Sequence, residues 1–202
     1  MTAVPLSLVD LGKIFTGMAE ALGKLGDSVA HLVKLGAGGW DATQARALRG
    51  RLIEMSASLR NVQSLNAGAF TSLEMFEDYL KEVEHYLSGP APRKEEIELL
   101  MDRAWKITAE RLAKALSEGA KVIEGLKAER SEFVLTEAYN DLTDILVSRE
   151  LLLRRLVSLE QPRTKADLEP LGELLESYRL MRTALRACID KLGDYALADG
   201  KE

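Results

Sequence analysis

The strongest constraint in this sequence is the spacing of its apolar side chains, which recur every three or four residues along most of the chain. Such spacing places apolar residues on one face of an α-helix, whereas a half-buried β-strand alternates with a period of two. No segment of useful length alternates in that way. The sequence therefore predicts an all-α protein. In the first segment the stripe is Leu8, Leu11, Phe15, Met18, Leu22, Leu25, Val29 and Leu32.

Glycine and proline clusters divide this pattern into about six helical segments. Breaks fall at 36–39, 89–92 and Pro162, and capping-box patterns at 41–44 and 71–74 mark two further helix starts. A weaker version occurs at Thr164-Lys165-Ala166-Asp167. Long helices with short connections favour shallow packing angles and antiparallel neighbours. We therefore predict an elongated, coiled-coil-like antiparallel bundle. The stripes of the second to sixth segments cover 45–62, 73–87, 97–123, 135–159 and 171–195.

The fourth segment has an irregular stripe. It begins with Ile97, Leu100, Ala104 and Ile107, then changes phase near Arg111 and continues with Leu112, Leu116, Gly119 and Ile123. The pattern predicts that the first four of these residues face the core.

The linker Gly89-Pro90-Ala91-Pro92 is the predicted hinge of the chain. It would divide a three-helix N-terminal sub-bundle (1–88) from a long-helix C-terminal sub-bundle (93–202), unless the two form one continuous domain. An exposed linker predicts early proteolytic cleavage near Arg93.

Composition excludes several classes of protein. The chain is 47% hydrophobic, which is too apolar for a disordered protein, yet it has no apolar run of the ~20 residues that a spanning helix needs. The net charge is −5, without a basic footprint, so no nucleic-acid partner is expected. With no recognisable leader and a single cysteine, the expected compartment is the cytoplasm.

Groups that could carry chemistry are sparse. His31, His85 and Cys188 cannot supply the three or four nitrogen and sulfur ligands of a transition-metal site. Glu82-Val83-Glu84-His85 contains one Glu-x-x-His motif, whereas di-iron bundles use two. We expect no metal, no cofactor and no enzymatic activity.

Four arginines are candidate interaction residues. Arg179, Arg182 and Arg186 share one flank of the last helix, where they could meet an acidic partner, or form a solvated face with pairs such as Glu176–Arg179. Arg149 interrupts the apolar stripe of the fifth segment. It would need a carboxylate partner unless its guanidinium reaches solvent at the edge of the seam.

The first helix carries Gly12, Gly17, Gly23 and Gly26 within its apolar stripe. Interior glycines weaken a helix, so they indicate either close packing by a neighbour or a helix that is meant to be released. Its stripe, with Leu11, Phe15, Met18 and Leu22, is the remaining candidate interaction surface.

These patterns favour a non-enzymatic interaction or scaffold protein that presents helix faces to a protein partner or to a second copy of itself. The alternative is a membrane-active bundle, pore-forming or similar to cell-death effectors. In that case residues 6–35 would leave the bundle and enter a membrane surface.

Overall fold

The structure, a computed structural model, describes residues 7–36, 41–87, 94–128, 159 and 161–197, with side chains for 7–30, 41–83, 95–119, 159 and 161–196. Within these ranges all regular elements are helical, which confirms the prediction of an all-α protein. The four long helices are α1 (Leu8–Gly36), α2 (Ala42–Leu87), α3 (Lys94–Ala128) and α4 (Leu168–Leu197). A short 3₁₀ turn, Lys165–Asp167, precedes α4.

Short polar motifs start three of these elements. At α2 the Asp41 carboxylate accepts hydrogen bonds of 2.8 Å from the backbone N–H groups of Thr43 and Gln44, and the Asp41 N–H donates to the Gln44 side chain, as predicted. Ser7 and Asp10 form a similar reciprocal cap at α1, which the sequence analysis missed.

The Asp167 carboxylate secures the turn before α4. It accepts hydrogen bonds of 2.8 Å from the N–H groups of Arg163 and Thr164, and one of 2.9 Å from the Thr164 hydroxyl. Partial burial raises the pKa of Asp167, but these hydrogen bonds outweigh it and lower the pKa below its ordinary value.

α2 is continuous through Thr71, where the sequence analysis placed a helix start. The hydroxyl of Ser72 donates to the carbonyl of Gly68, one turn earlier, as in a helix interior. The predicted break was wrong because the apolar stripe continues through a buried polar residue, Asn66, between Val62 and Leu73. The predicted second and third helices are therefore one element of 46 residues, about 70 Å long.

The core is organised around α4, which packs against both α1 and α2, while α3 packs against α2. Gly12 of α1 faces Leu174 of α4. Gly26 faces Cys188, and both of these residues lie fourteen positions farther along their helices, so α1 and α4 run parallel. α2 runs antiparallel to α4 and to α3, since early α2 residues meet late residues of both partners. These contacts are Arg60 near Gly193, Glu74 with Arg179, Val62 near Gly119, and Phe76 with Trp105.

The parallel α1–α4 pair departs from the predicted antiparallel arrangement. The spacing of apolar residues determines which face of a helix is buried, but it carries no information on the direction of the neighbour. The described helices on either side of 88–93 also share one hydrophobic cluster, because α4 packs against α1 and α2. The division into two sub-bundles or one continuous domain stays a prediction. The hinge at 89–92 and the predicted fifth-helix stripe before residue 159 lie outside the described residues.

The first part of α3 turns a different face to the core from the predicted one, whereas Leu112, Leu116 and Gly119, predicted after the change of phase, are buried. Its buried face consists of Met101, Trp105, Thr108, Leu112, Ala115 and Leu116. Leu100 and Ile107 are exposed, and Ile97 and Ala104 are only partly buried. The prediction failed because Thr108, a polar residue, occupies a core position. With Thr108 included, the buried stripe continues without a change of phase.

Candidate functional site

The four candidate residues of α1 lie in the core. Leu11 and Phe15 are 0% exposed, and Met18 and Leu22 are each 5% exposed. The Phe15 ring stacks on the Tyr178 ring of α4, with the two centroids 4.2 Å apart and the planes 2° from parallel. Stacked aromatic pairs contribute beyond the area that they bury. In this structure the four side chains therefore pack inside the bundle.

A hydrogen bond between buried polar groups joins α2 to α4 beneath this stack. The hydroxyl of Tyr178 donates to the side-chain oxygen of Asn66 at 2.6 Å, and the Asn66 amide donates to the Val62 carbonyl at 2.8 Å. Burial raises the pKa of Tyr178 well above its ordinary value, partly opposed by the positive charge of Arg182. The phenol therefore stays a donor at physiological pH. A satisfied polar pair in an apolar core fixes the register of the two helices.

Two of the four interior glycines identified in the α1 stripe lie against α4. A methyl group added at Gly12 would lie 3.5 Å from the Ser177 hydroxyl and 3.9 Å from the Leu174 Cα. At Gly26 it would lie 3.0 Å from the Lys191 side chain and 3.8 Å from the Cys188 Cα. Gly23, by contrast, has open space around it. Close packing thus accounts for Gly12 and Gly26 but not for Gly23.

The arginine flank of α4 borders α2, and its members have local partners. Arg179 pairs with Glu74 of α2 at 3.2 Å and with Glu176 at 3.4 Å, the latter as predicted. The guanidinium of Arg182 lies 4.3 Å from the centre of the Phe70 ring, and Arg186 approaches Asp190 at 4.0 Å. Exposed pairs of this kind contribute little to stability, and they leave the arginines at the surface. Arg149 lies outside the described residues.

The single cysteine is buried under α1. Burial raises the pKa of the Cys188 thiol to about 11, partly opposed by the nearby Lys191 ammonium. A protonated, buried thiol reacts slowly with thiol reagents. In the described part of the chain, no group of three His, Cys, Asp or Glu side chains is placed to hold a metal ion. The side chains of His31 and His85 are outside the described set.

An open groove of about 380 Å³ runs between α1 and α4 near their N-terminal ends. Its polar lining includes Lys13, Thr16, Glu20, Glu173 and Ser177. The hydroxyl of Thr16 already donates to the Gly12 carbonyl. The groove is open to solvent, which distinguishes it from the enclosed pockets that bind small molecules.

One exposed apolar surface was missed by the sequence analysis. It lies on the side of the α2–α3 pair where Arg111 donates a hydrogen bond to the Ser72 hydroxyl. We call it the open flank. The sequence signal that could have revealed it is that α3 carries two apolar stripes along its length, one buried and one exposed. Ala104 lies at the boundary between them. The open flank consists of Met75, Tyr79, Leu100, Ala104 and Ile107.

The residues of the open flank follow two parallel lines. On α2 the line runs from Ser72 to Met75 and Tyr79 in steps of three and four residues, and on α3 it runs back from Arg111 to Ile107 in the same way. Met75 is 57% exposed, Leu100 52%, Ile107 44% and Tyr79 43%. Contiguous apolar side chains at the surface are typical of binding sites.

Among the described helices, none is both long enough and apolar enough to cross a membrane. Comparisons of this chain with protein-family models, with curated proteins and with solved structures found no match.

Proposed function

We propose that this protein is a non-enzymatic interaction or scaffold protein, a helical bundle that presents helix faces to a protein partner or to a second copy of itself. One observation carries the proposal. Apolar side chains of the open flank remain exposed on α2 and α3, while the stripe of α1 from Leu8 to Val29 is buried. Surface patches of this kind mark protein–protein contacts more often than they mark catalytic sites.

The packing of α2 supports this role. Its register relative to α4 is held by the Asn66–Tyr178 hydrogen bond, and its contact with α3 includes the Thr108 hydroxyl, 3.3 Å from the Ser72 carbonyl oxygen. Rigid helices keep the exposed residues in fixed positions, which lowers the entropy lost when a partner binds. The proposal retains the elongated helical bundle predicted from the sequence. Because α2 is one helix where two were predicted, the proposed count falls from about six to about five.

The membrane-active alternative requires α1 to leave α4. Seven large apolar side chains of α1 are buried, from Leu8 to Val29. Each contributes about 1.5–3 kcal/mol through burial, so detachment would cost about 10–20 kcal/mol before lipid contacts offset it. That cost is comparable to the whole stability of a domain, about 5–15 kcal/mol. The packing of α1 therefore favours the scaffold over the membrane-active protein.

Cys188 offers a direct test, because it is the chain's single cysteine and lies beneath α1. The experiment measures the reaction of Cys188 with a thiol reagent, with and without vesicles of phosphatidylcholine and phosphatidylglycerol. We expect slow labelling that vesicles do not accelerate, and no leakage of vesicle contents. Rapid labelling together with leakage in the presence of vesicles would contradict the proposal and favour the membrane-active protein.

A variant of α1 provides a second test. Leu22→Asp would bury an unpaired charge and should unfold the domain, seen as lost helicity in circular dichroism on heating. The matched control is Leu180→Asp at an exposed position of α4, which should melt like the wild type. A stable, fully helical Leu22→Asp protein would overturn the assignment of α1 to the core.

A further inference from the structure

We infer that the open flank is the surface on which a second copy of this chain docks, with the two α3 helices antiparallel. The inference rests on the proposed interaction function and names its partner. It combines two observations, namely the exposed apolar residues of the α2–α3 pair and the distribution of charge along α3.

The shape of the flank suits a helix. Met75 and Tyr79 of α2 form one side, and Leu100, Ala104 and Ile107 of α3 form the other. The small side chain of Ala104 lies between the two larger residues of α3. A helix laid against this side of the pair would complete a layer of apolar contacts in the manner of a four-helix bundle. If that helix is α3 of a second copy, each α3 contacts the open flank of the other molecule.

The charges of α3 favour a second copy over an unrelated partner. Residues 94–102 carry four acidic side chains and one lysine, whereas residues 103–114 carry four basic side chains and one glutamate. These two segments of α3 thus have net charges of −3 and +3. In an antiparallel pair, the acidic segment of one copy lies opposite the basic segment of the other, and the same contacts occur twice about a two-fold axis. Self-complementarity of this kind is the property that a two-fold dimer requires.

Residues on the line of the open flank follow the same rule. A two-fold axis that passes between Leu100 and Ile107 places Leu100 of each copy opposite Ile107 of the other copy. The same axis places Glu96 of one copy near Arg111 and Lys114 of the other. Parallel pairing would instead bring like charges together along the helix, at a cost similar to the gain from matched pairs. The charge pattern therefore specifies the antiparallel orientation.

The first experiment measures the mass of the full chain by sedimentation equilibrium over a range of concentrations. We expect the wild type to reach twice its chain mass of 22.3 kDa. Ile107→Glu should weaken the dimer by about 30-fold or more, as for a central interface residue, with an unchanged melting curve when both proteins are monomeric. The control Leu180→Glu, at a similarly exposed position of α4, should leave association unchanged. A monomeric wild type at every concentration, or equal loss in the two variants, would overturn the inference.

The second experiment tests the orientation by exchanging charges. Glu96→Lys alone and Lys114→Glu alone should each weaken self-association, because each places like charges opposite one another. A mixture of the two variants should form a heterodimer through restored opposite pairs. Two variants that self-associate like the wild type, or a mixture that associates no better than either variant, would refute antiparallel α3 pairing. Neither experiment bears on Cys188 labelling with vesicles, so a failure here leaves the interaction function separately testable.

Discussion

The α1–α4 and α2–α3 pairs use similar amphipathic helices in different ways. α1 lies parallel to α4, approaches its backbone closely at Gly12 and Gly26, and buries the large residues of its main stripe from Leu8 to Val29. α3 lies antiparallel to α2, buries one stripe and leaves a second exposed. The comparison shows that an apolar stripe on a helix can belong to the core or to an interface, and that the arrangement of its neighbours decides which.

The largest expected effect separates the two pairs directly. Phe15→Ala should lower the free energy of unfolding by about 3–5 kcal/mol, because it removes a buried ring stacked on Tyr178. Leu100→Ala should change it by less than about 1 kcal/mol in dilute, monomeric protein, since that side chain is largely solvated. Urea denaturation of both variants measures the difference. Equal losses would mean that the open flank is as much a part of the core as α1 is.

At alkaline pH, the free energy of unfolding should depend on a buried group at the α1–α4 contact. Burial raises the pKa of Cys188 from its reference value of 9.0 to about 11, so the folded protein holds the thiol proton more tightly than the unfolded chain. The resulting stability is fully present below pH 9 and is lost as the pH rises through 11, amounting to about 2–3 kcal/mol. Urea denaturation of the wild type and Cys188→Ala between these pH values checks it. The prediction fails if Cys188→Ala shows the same pH dependence.

Polar contacts provide the next comparison. Tyr178→Phe should cost about 1–3 kcal/mol, because the side-chain oxygen of Asn66 would stay buried without its donor. Thr108→Val at the α2–α3 contact should cost less, since the Thr108 hydroxyl donates mainly to the Ala104 carbonyl of its own helix at 2.9 Å. Thermal unfolding followed by circular dichroism measures both changes. A larger loss for Thr108→Val would reverse the relative importance assigned to the two contacts.

The smallest effect sharpens the role of the glycines. Gly23→Ala should stabilise the protein by about 0.5–1 kcal/mol, because the position has open space and alanine favours the helix. Gly26→Ala should gain less, since the added methyl group must displace the Lys191 side chain that pairs with Asp27 at 2.6 Å. The difference between their melting temperatures is the measurement. Equal stabilisation would show that α1 packs against α4 more loosely at Gly26 than the structure indicates.

Sequence reasoning succeeded where information is local. The Asp41–Gln44 cap depends on residues within one turn, and so does the Glu176–Arg179 pair. It failed where a polar residue occupies a core position. Asn66 and Thr108 each interrupt an apolar stripe, and each is satisfied by a hydrogen bond that the sequence pattern does not reveal. These two residues account for the false break in α2 and for the misassigned face of α3.

The sequence by itself determined the helical class, the capped start of α2 and the apolar face of α1, because these follow from spacing and from hydrogen bonds within a turn. The direction of α1 relative to α4, the length of α2 and the exposed stripe of α3 were decided only by the tertiary structure. The physical reason is that burial of apolar area is not directional. A helix gains the same free energy from any apolar neighbour, and the choice among neighbours depends on contacts between residues far apart in the chain, such as Phe15 with Tyr178.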